Sequence, residues 1–361
     1  MAADHSAVDP TKSLQDARLE DGDHLTAIAV EAKLAATDNA FALFCPGGGW
    51  VVTWGNPYCG GDSSEVQNQL KGVQQLQATD GAFAAILADG SVVTWGYPDD
   101  GGDSSEVQDR LKGVQQVQAT LEGAFAAILA DGWAVTWGNS DAGGDSSEVQ
   151  DRLKGVQQVQ ATLEGAFAAI LADGSVVTWG DPDFGGDSSE VQDQLKGVQQ
   201  VQANGGTIAA ILADGSVVTW GNPLHGGDRS EVQDQLKGVK QVQKTAGTFA
   251  AILADGSVVT WGKPNYGGDS SEVQQQLKGV QEVQATNRAL AAILADGSVV
   301  TWGKPDYGGD SSDVQDQLKD VQQVQATGNA FAAILAGGSV VSCGAPYGGD
   351  SSGVAGQFAH V

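Results

Sequence analysis

The sequence predicts an all-β propeller of eight blades, each about 41 residues long, and three observations support this fold class. The motif Val-Val-Thr-Trp-Gly, or a close variant, recurs at steps of 41 or 42 residues, a length typical of a propeller blade. Asp-Gly separates two β-rich runs in most units, which is a hairpin signal. Glycine is abundant, at 51 of 361 residues, and its regular spacing indicates many turns. Seven blades with one degenerate unit is the alternative.

The central element of each blade is a hairpin, as the segment 167–179 shows. It reads Phe-Ala-Ala-Ile-Leu-Ala-Asp-Gly-Ser-Val-Val-Thr-Trp, two β-rich runs around Asp173-Gly174. Apolar residues occupy both faces, so we expect both faces to be buried between neighbouring blades. A two-residue type I′ turn at Asp-Gly predicts three cross-strand pairs, namely Leu171–Val176, Ile170–Val177 and Ala168–Trp179.

One aromatic position recurs in seven units, and Cys343 occupies it in the eighth. This tryptophan lies within a predicted hairpin strand, where a large ring packs one blade against the next. We therefore interpret these residues as structural and not as a binding site. They are Trp54, Trp95, Trp137, Trp179, Trp220, Trp261 and Trp302.

Two further segments flank each hairpin. Residues 156–162 alternate in polarity, which predicts a half-buried first strand. Residues 188–191 predict a short outer strand, and residues 192–196 predict a helical turn, so each blade would have four short antiparallel strands. A short helix capped by Asp187 is the alternative. The outer strand is favoured because a three-stranded blade would leave a longer unpaired edge.

The repeat spans a single predicted domain, residues 24–361, and residues 1–23 fall outside it as a flexible or edge-packing segment. Both end units are irregular, as expected of a repeat array. The first unit has a longer turn before Trp50, and the last has Gly337-Gly338 in place of Asp-Gly. These irregularities are the reason why seven blades stay open as an alternative.

The charge of the chain limits its partners. Its net charge is −27, so a phosphate backbone and an anionic membrane surface would both be repelled. This charge keeps a glycine-rich β protein soluble, or it attracts a basic protein partner. The acidic N-terminal residues show no signal-peptide pattern, and no apolar run is long enough to span a membrane. We expect an intracellular protein, cytoplasmic or nuclear.

No set of residues predicts catalysis, a cofactor or a metal site. The four histidines do not form a triad or metal-ligand spacing with other residues. The three cysteines have no metal-like spacing, and their odd number does not suggest a disulfide framework. The recurring Gly-Gly-Asp-Ser-Ser predicts a turn closed by an aspartate side chain, with a calcium loop as the alternative. We therefore expect a protein that is not an enzyme.

These motifs together resemble the repeats of the regulator of chromosome condensation superfamily. The likeness lies in Asp-Gly, the hydrophobic strand, Trp-Gly and the Gly-rich loop, and it covers residues from about 30 to 355. The compact unit is most similar to blades of the β-lactamase inhibitor protein II type. Such a resemblance implies a propeller fold, but the fold hosts exchange factors, photoreceptors, ligase modules and inhibitors.

Departures from the family pattern reduce the choice of functions. The strand before Asp-Gly lacks the histidine that is usual in the family, and the clustered Trp and Arg motif of the plant UV-B photoreceptor is missing. We expect a scaffold that binds a protein partner, such as a recognition module of a ubiquitin-ligase-like or regulatory assembly. An enzyme inhibitor similar to β-lactamase inhibitor protein II is the alternative. A guanine-nucleotide exchange factor and a UV-B sensor are the remaining options.

Variation between the repeats indicates where a partner would bind. Two stretches vary most: the loop that follows Trp-Gly and the loop that precedes the hairpin. In an antiparallel blade of four strands both loops emerge on the same face of the disc. Exposed aromatic residues on a polar rim are typical of a binding surface, whereas free drift of unconstrained loops is the alternative. The candidate residues are Tyr58, Tyr97, Asp99, Phe184, Leu224, His225, Tyr266, Tyr307 and Tyr347.

Overall fold

Within residues 32–46 and 50–345, which the computed structural model describes, the chain forms eight antiparallel sheets of three strands. We call these sheets blades 1 to 8. In each blade the strands are neighbours in chain order. Blade by blade, they are β1 Lys33–Ala36, β2 Ala40–Phe44, β3 Val51–Gly55; β4 Val73–Ala78, β5 Ala82–Leu87, β6 Val92–Gly96; β7 Val114–Ala119, β8 Ala124–Leu129, β9 Ala134–Gly138; β10 Val156–Ala161, β11 Ala166–Leu171, β12 Val176–Gly180; β13 Val198–Ala203, β14 Thr207–Leu212, β15 Val217–Gly221; β16 Val239–Lys244, β17 Thr248–Leu253, β18 Val258–Gly262; β19 Val280–Ala285, β20 Ala289–Leu294, β21 Val299–Gly303; and β22 Val321–Ala326, β23 Ala330–Leu335, β24 Val340–Gly344.

Helical structure in the described ranges is confined to short turns. Most blades have one 3₁₀ turn directly after the third strand, and a five-residue π-type turn takes this place in blade 3. These turns are Pro57–Cys59, Pro98–Asp100, Ser140–Gly144, Pro182–Phe184, Pro223–His225, Pro264–Tyr266 and Pro305–Tyr307. Three further 3₁₀ turns lie in the outer segment, at Gln150–Arg152, Gln192–Gln194 and Gln315–Gln317.

The eight sheets confirm the predicted all-β class and the count of eight blades, and the seven-blade alternative is wrong. The first and last units both form complete sheets in spite of their irregular turns. Residues 1–31 and 346–361 lie outside the described part of the chain. The predicted N-terminal segment 1–23 and the candidate Tyr347 belong to these ranges.

The predicted register of the hairpin is wrong by one residue. Ile170 pairs with Val176, and Phe167 pairs with Trp179. The loop holds three residues, 172–174, because the Leu171 amide donates to the Ser175 carbonyl across it, at 2.9 Å. A type I turn followed by a left-handed residue gives such a three-residue loop. This register brings the rings of Phe167 and Trp179 into a stack, with centroids 5.2 Å apart and planes inclined by 17°.

The predicted outer strand at 188–191 is also wrong, so each blade has three strands and not four. Residues 189–191 form a turn, and a 3₁₀ turn follows at Gln192–Gln194. Side chains hold this segment on the blade. Ser188 Oγ lies 2.9 Å from Thr178 Oγ1 and donates to Gln192 Oε1 at 2.9 Å. The side-chain amide of Gln192 then donates, through Nε2, to the Val176 carbonyl at 3.2 Å. The segment that these bonds hold covers the blade edge with which a fourth strand would otherwise pair.

The fifth unit provides a natural control for this Thr-Ser-Gln network. Arg229 replaces its serine, and Thr219 Oγ1 donates instead to the Gly227 carbonyl at 2.9 Å. We expect Gln192→Ala to lower the free energy of unfolding by about 0.5–1.5 kcal/mol, the net value of a hydrogen bond. Gln233→Ala, at the equivalent site of the fifth unit, should change it by less than about 0.5 kcal/mol. Urea denaturation measures the free energy of unfolding of both variants. Equal losses would contradict the role of the Thr-Ser-Gln network in holding the outer segment.

The hydrophobic core of the molecule lies between consecutive blades. Between blades 2 and 3, Ala84 and Ile86 pack on one side and Phe125 and Trp137 on the other. The Trp137 indole donates to the Gly101 carbonyl at 3.1 Å, which ties the two units together by a buried hydrogen bond. The same bond recurs for Trp95, Trp179, Trp220, Trp261 and Trp302 at 3.0–3.1 Å.

Trp54 departs from the predicted packing role. Six of the seven tryptophans are 4–5% exposed, but Trp54 is 44% exposed. Its blade is the first of the described sheets, so no preceding blade covers this ring. The hydrophobic clusters found in the described residues join blades 1 to 8 as seven consecutive pairs, and none joins blade 8 to blade 1.

Candidate partner-binding face

The two variable loops of a unit contact each other in blades 1 to 7. Thr79, in the loop before the hairpin of blade 2, donates through Oγ1 to the carbonyl of Asp100, in the loop after it, at 2.9 Å. In blade 7, Thr286 donates in the same way to the Tyr307 carbonyl at 3.0 Å. Asn204 takes this role in blade 5, where its amide donates to the His225 carbonyl at 2.7 Å. The paired loops of blades 1 to 7 are called the variable face below.

Backbone hydrogen bonds connect the variable face from blade to blade. The Asp80 amide donates to the Leu121 carbonyl at 3.0 Å, and the Leu121 amide donates to the Leu163 carbonyl at 3.0 Å. This row begins with Asp38 and continues to Gly328. The loops before the hairpins therefore form one continuous rim joined by hydrogen bonds. A rigid rim positions side chains better than separate flexible loops do.

The hairpin turns lie at the opposite edge of the blades. The Val198 amide, which follows the outer turn at Lys196 and Gly197, donates to the carbonyl of the hairpin residue Gly174 at 2.9 Å. Equivalent bonds join the other consecutive units from Gly90 to Val321. The nearly invariant turns therefore lie together, away from the variable loops.

The candidate residues differ widely in exposure. Tyr58 is 79% exposed, Leu224 is 73% exposed and Tyr97 is 46% exposed, and Asp99 is also exposed. These four side chains are free to contact a partner. A second group is half-buried among the loops and consists of Phe184, Tyr266 and Tyr307.

His225 is buried, so its predicted role as an exposed contact residue is wrong. Its side chain is 7% exposed, and Nδ1 has no hydrogen-bond partner. Nδ1 lies close to Gly206, where an added Cβ would be 3.1 Å away. Burial lowers the pKa of His225, and the nearby Lys263 lowers it further. The buried ring therefore fills space beside Gly205 and Gly206, and the sequence could not reveal this because the adjacent Leu224, the more apolar residue, is the one left exposed.

A cluster of cations and tyrosines on the variable face was not predicted from the sequence. The Arg288 guanidinium carbon lies 4.9 Å from the ring centroid of Tyr266 and 4.9 Å from that of Tyr307. Lys263 Nζ lies 5.2 Å from the first ring, and Lys304 Nζ lies 5.0 Å from the second. A cation that lies over the face of an aromatic ring is attracted to that ring, and this attraction holds the ring in place. We call these five residues the Tyr-Arg cluster. The available signal was that basic residues follow Trp-Gly in only two units.

The other end of the variable face is acidic. Asp80 is half-buried near Asp38, Glu122 and Asp100. Burial, followed by repulsion from these carboxylates, raises the pKa of Asp80 from 3.8 to about 6. Burial also raises the pKa of Asp100. The face is therefore polarised, with carboxylates at blades 1 to 3 and the Tyr-Arg cluster at blades 6 and 7.

The raised pKa of Asp80 predicts a pH-dependent stability. Its folded pKa exceeds the unfolded value, so the ionised carboxylate destabilises the fold at neutral pH, and protonation removes this penalty. We expect Asp80→Asn to raise the melting temperature at about pH 7.5, with a gain that shrinks between about pH 6 and 4. Thermal melts over this range check it, with the exposed Asp141→Asn as a control. A gain that stays constant with pH would contradict the expectation.

The recurring Gly-Gly-Asp-Ser-Ser forms a closed turn. Asp103 Oδ1 accepts the Ser105 backbone N–H at 2.8 Å, which lowers the pKa of Asp103. Equivalent bonds of 2.8–2.9 Å occur at Asp62, Asp145, Asp187, Asp228, Asp269 and Asp310. In the described ranges, no group of three or more His, Cys, Asp and Glu residues is arranged to hold a metal ion. The predicted aspartate turn is confirmed.

No protein-family model and no curated protein matches the chain. Among solved structures, Prp20p of Saccharomyces cerevisiae, the yeast RCC1, matches at 16% identity over 86% of this chain and 82% of that chain, with a TM-score of 0.42.

Two other solved structures match at similar levels. The CRINKLY WD40 ectodomain of the Arabidopsis thaliana receptor kinase ACR4 is 16% identical over 73% of this chain and 93% of that chain, with a TM-score of 0.40. The computationally designed Ika8 protein is 16% identical over 83% and 91%, also at 0.40. No helix in the part of the chain that the structure describes is long and apolar enough to cross a membrane.

Proposed function

We propose that the chain is a non-enzymatic scaffold that binds a protein partner through the variable face. The observation that supports this most is the Tyr-Arg cluster, in which Arg288 lies between Tyr266 and Tyr307. Tyrosine and arginine are the residue types that contribute most to protein interfaces. Here their side chains are held in place before any partner binds, so little conformational entropy is lost on association.

The acidic end of the variable face adds selectivity for charge. Burial raises the pKa of Asp80, and the nearby carboxylates of Asp38, Glu122 and Asp100 raise it further. A basic segment of a partner would relieve this repulsion, and charge complementarity increases association rates. We therefore propose a partner with a basic segment for blades 1 to 3 and a surface that fits the Tyr-Arg cluster at blades 6 and 7.

Affinity capture with the full chain, followed by titration with the purified partner, tests this function. We expect the triple variant Tyr266→Ala, Arg288→Ala, Tyr307→Ala to bind at least about 30-fold more weakly, since interface residues of this type contribute 2 kcal/mol or more. The matched control is Lys196→Ala, an exposed residue on the opposite edge. An unchanged affinity in the triple variant, or an equal loss in the control, would contradict the proposal.

A further inference from the structure

The first blade exposes a large apolar face. Leu34 is 57% exposed, Val52 is 50% exposed and Phe41 is 41% exposed, and Trp54 lies beside them. The rings of Phe41 and Trp54 are stacked, with centroids 5.4 Å apart and planes inclined by 20°. We call this surface, formed by these four residues, the head face.

The head face has the same composition and geometry as buried surfaces inside the molecule. In blade 3 the equivalent residues are Val117, Phe125, Val135 and Trp137, and all are 5% exposed or less. The Phe125 and Trp137 rings stack at 5.2 Å and 17°, nearly as in blade 1. The head face is thus one complete side of a blade interface. In the described residues, no second blade packs against it.

The last blade exposes the complementary half. Ile334 is 38% exposed, although the equivalent isoleucines of blades 2 to 7 are 4–6% exposed. A Cβ added at Gly338 would meet no atom within 4 Å, whereas one added at the equivalent Gly297 would lie 3.1 Å from the Asp320 backbone of the next unit. We call the surface formed by Ala332, Ile334 and Val340 the tail face, because the equivalent positions face the next blade in the other units.

Seven interfaces within the chain show how the two faces fit. In each interface, a face equivalent to the tail face packs against a face equivalent to the head face, as with Ile128 and Ala126 against Phe167 and Trp179. The clusters involve corresponding residues along the array. A contact that recurs seven times with nearly the same side chains is specific and does not depend on one sequence variant.

We propose that the chain assembles head to tail, with the head face of one copy packed on the tail face of a second copy of this chain. The contact would continue the internal stack of blades as an eighth interface of the same kind. Because the two faces differ, the association is heterologous: a dimer keeps one free head face and one free tail face and can add further copies. Burial of Leu34, Phe41, Val52 and Trp54 would supply the driving force.

A second copy is a better occupant than the chain's own opposite end. Across the described residues, no hydrophobic cluster joins blade 8 to blade 1, and both end faces are exposed at the same time. The row of backbone hydrogen bonds along the rim likewise starts at Asp38 and ends at Gly328 without a bond between these two residues. Contact between the ends of two copies does not require any change in the seven internal interfaces.

Sedimentation of the full chain over a range of concentrations tests the assembly. We expect the average mass of the wild type to rise with concentration to twice the chain mass and beyond. Phe41→Asp blocks the head face and Ile334→Asp blocks the tail face, so each variant alone should remain a monomer. A mixture of the two should form dimers and nothing larger, because it contains one intact head face and one intact tail face for each pair.

Controls keep this result interpretable. Tyr58→Asp places the same charge on an exposed residue of the first unit outside the head face, and it should assemble as the wild type does. Circular dichroism confirms that the variants are folded. A mixture that stays monomeric would overturn the proposal. So would a monomeric wild type whose tryptophan emission is quenched by a soluble quencher no more than that of Trp54→Phe, because the head face would then be covered by the chain itself.

Discussion

Trp179→Ala should lower the free energy of unfolding by about 3–5 kcal/mol, the usual cost of removing a buried Trp or Phe side chain. The ring is 5% exposed, stacks on Phe167 and packs between blades 3 and 4. Its removal leaves a cavity and also leaves the Gly143 carbonyl without the indole N–H that donates to it at 3.0 Å. Because each blade contacts only its neighbours, this loss weakens the whole array at one interface.

Trp54→Ala is the matched control, since it removes the same side chain at the same position of a blade. Trp54 is 44% exposed, so its loss should cost less than about 1 kcal/mol when measured on the monomer. Urea denaturation of both variants at a low protein concentration provides the comparison. Similar midpoints for the two variants would mean that the interface between blades 3 and 4 is not what makes Trp179 important.

Gly180→Ala should destabilise the protein by about 2–5 kcal/mol, from backbone strain together with a steric clash. Gly180 has a φ of +96°, which an L-residue rarely adopts. An added Cβ would lie 2.4 Å from the Gly165 carbonyl oxygen and 3.0 Å from the Ala166 Cα. Both atoms belong to the backbone of the hairpin, so no side-chain movement relieves the contact, and we expect a lower denaturation midpoint and reduced soluble yield.

Gly197→Asp is the control for this second prediction. Gly197 has a φ of +65°, and a Cβ there would be 3.8 Å from the nearest neighbour, the Ala213 methyl group. The chain itself shows that aspartate fits, since Asp320 occupies the equivalent position with a φ of 55°. We expect a loss of about 1 kcal/mol or less, because short polar residues tolerate the left-handed region. If both variants lost the same stability, the close backbone contact at Gly180 would not be the cause.

Expectations from the sequence succeeded where one repeat contains the whole explanation. The blade number and the buried hairpin follow from a pattern present in every unit. Expectations failed where neighbouring strands decide the geometry. The three-residue loop at 172–174 shifted the register, because the Asp-Gly signal does not specify the length of the loop around it. The outer segment at 188–191 did not form a strand, because side-chain bonds through Ser188 satisfied its edge instead.

The candidate site shows the same limit more strongly. The contact between the two loops agrees with the topological argument, but the exposure of single residues does not follow from it. His225 and Leu224 are adjacent in one turn, yet one is buried and the other is 73% exposed. Arg288 is far from Tyr266 and Tyr307 in sequence, and only the packing of blades 6 and 7 places it between the two rings.

The sequence by itself determined the type of unit, its number and the aromatic residues that join the units, because each depends on a pattern that recurs with the repeat. Only the tertiary structure decided which of the repeated tryptophans are covered by a neighbouring blade. Trp54 and Trp179 have the same local sequence, but a preceding blade covers only the second of them. Burial depends on what lies opposite a residue in space, and a repeated sequence contains the same local information at its ends as in its middle.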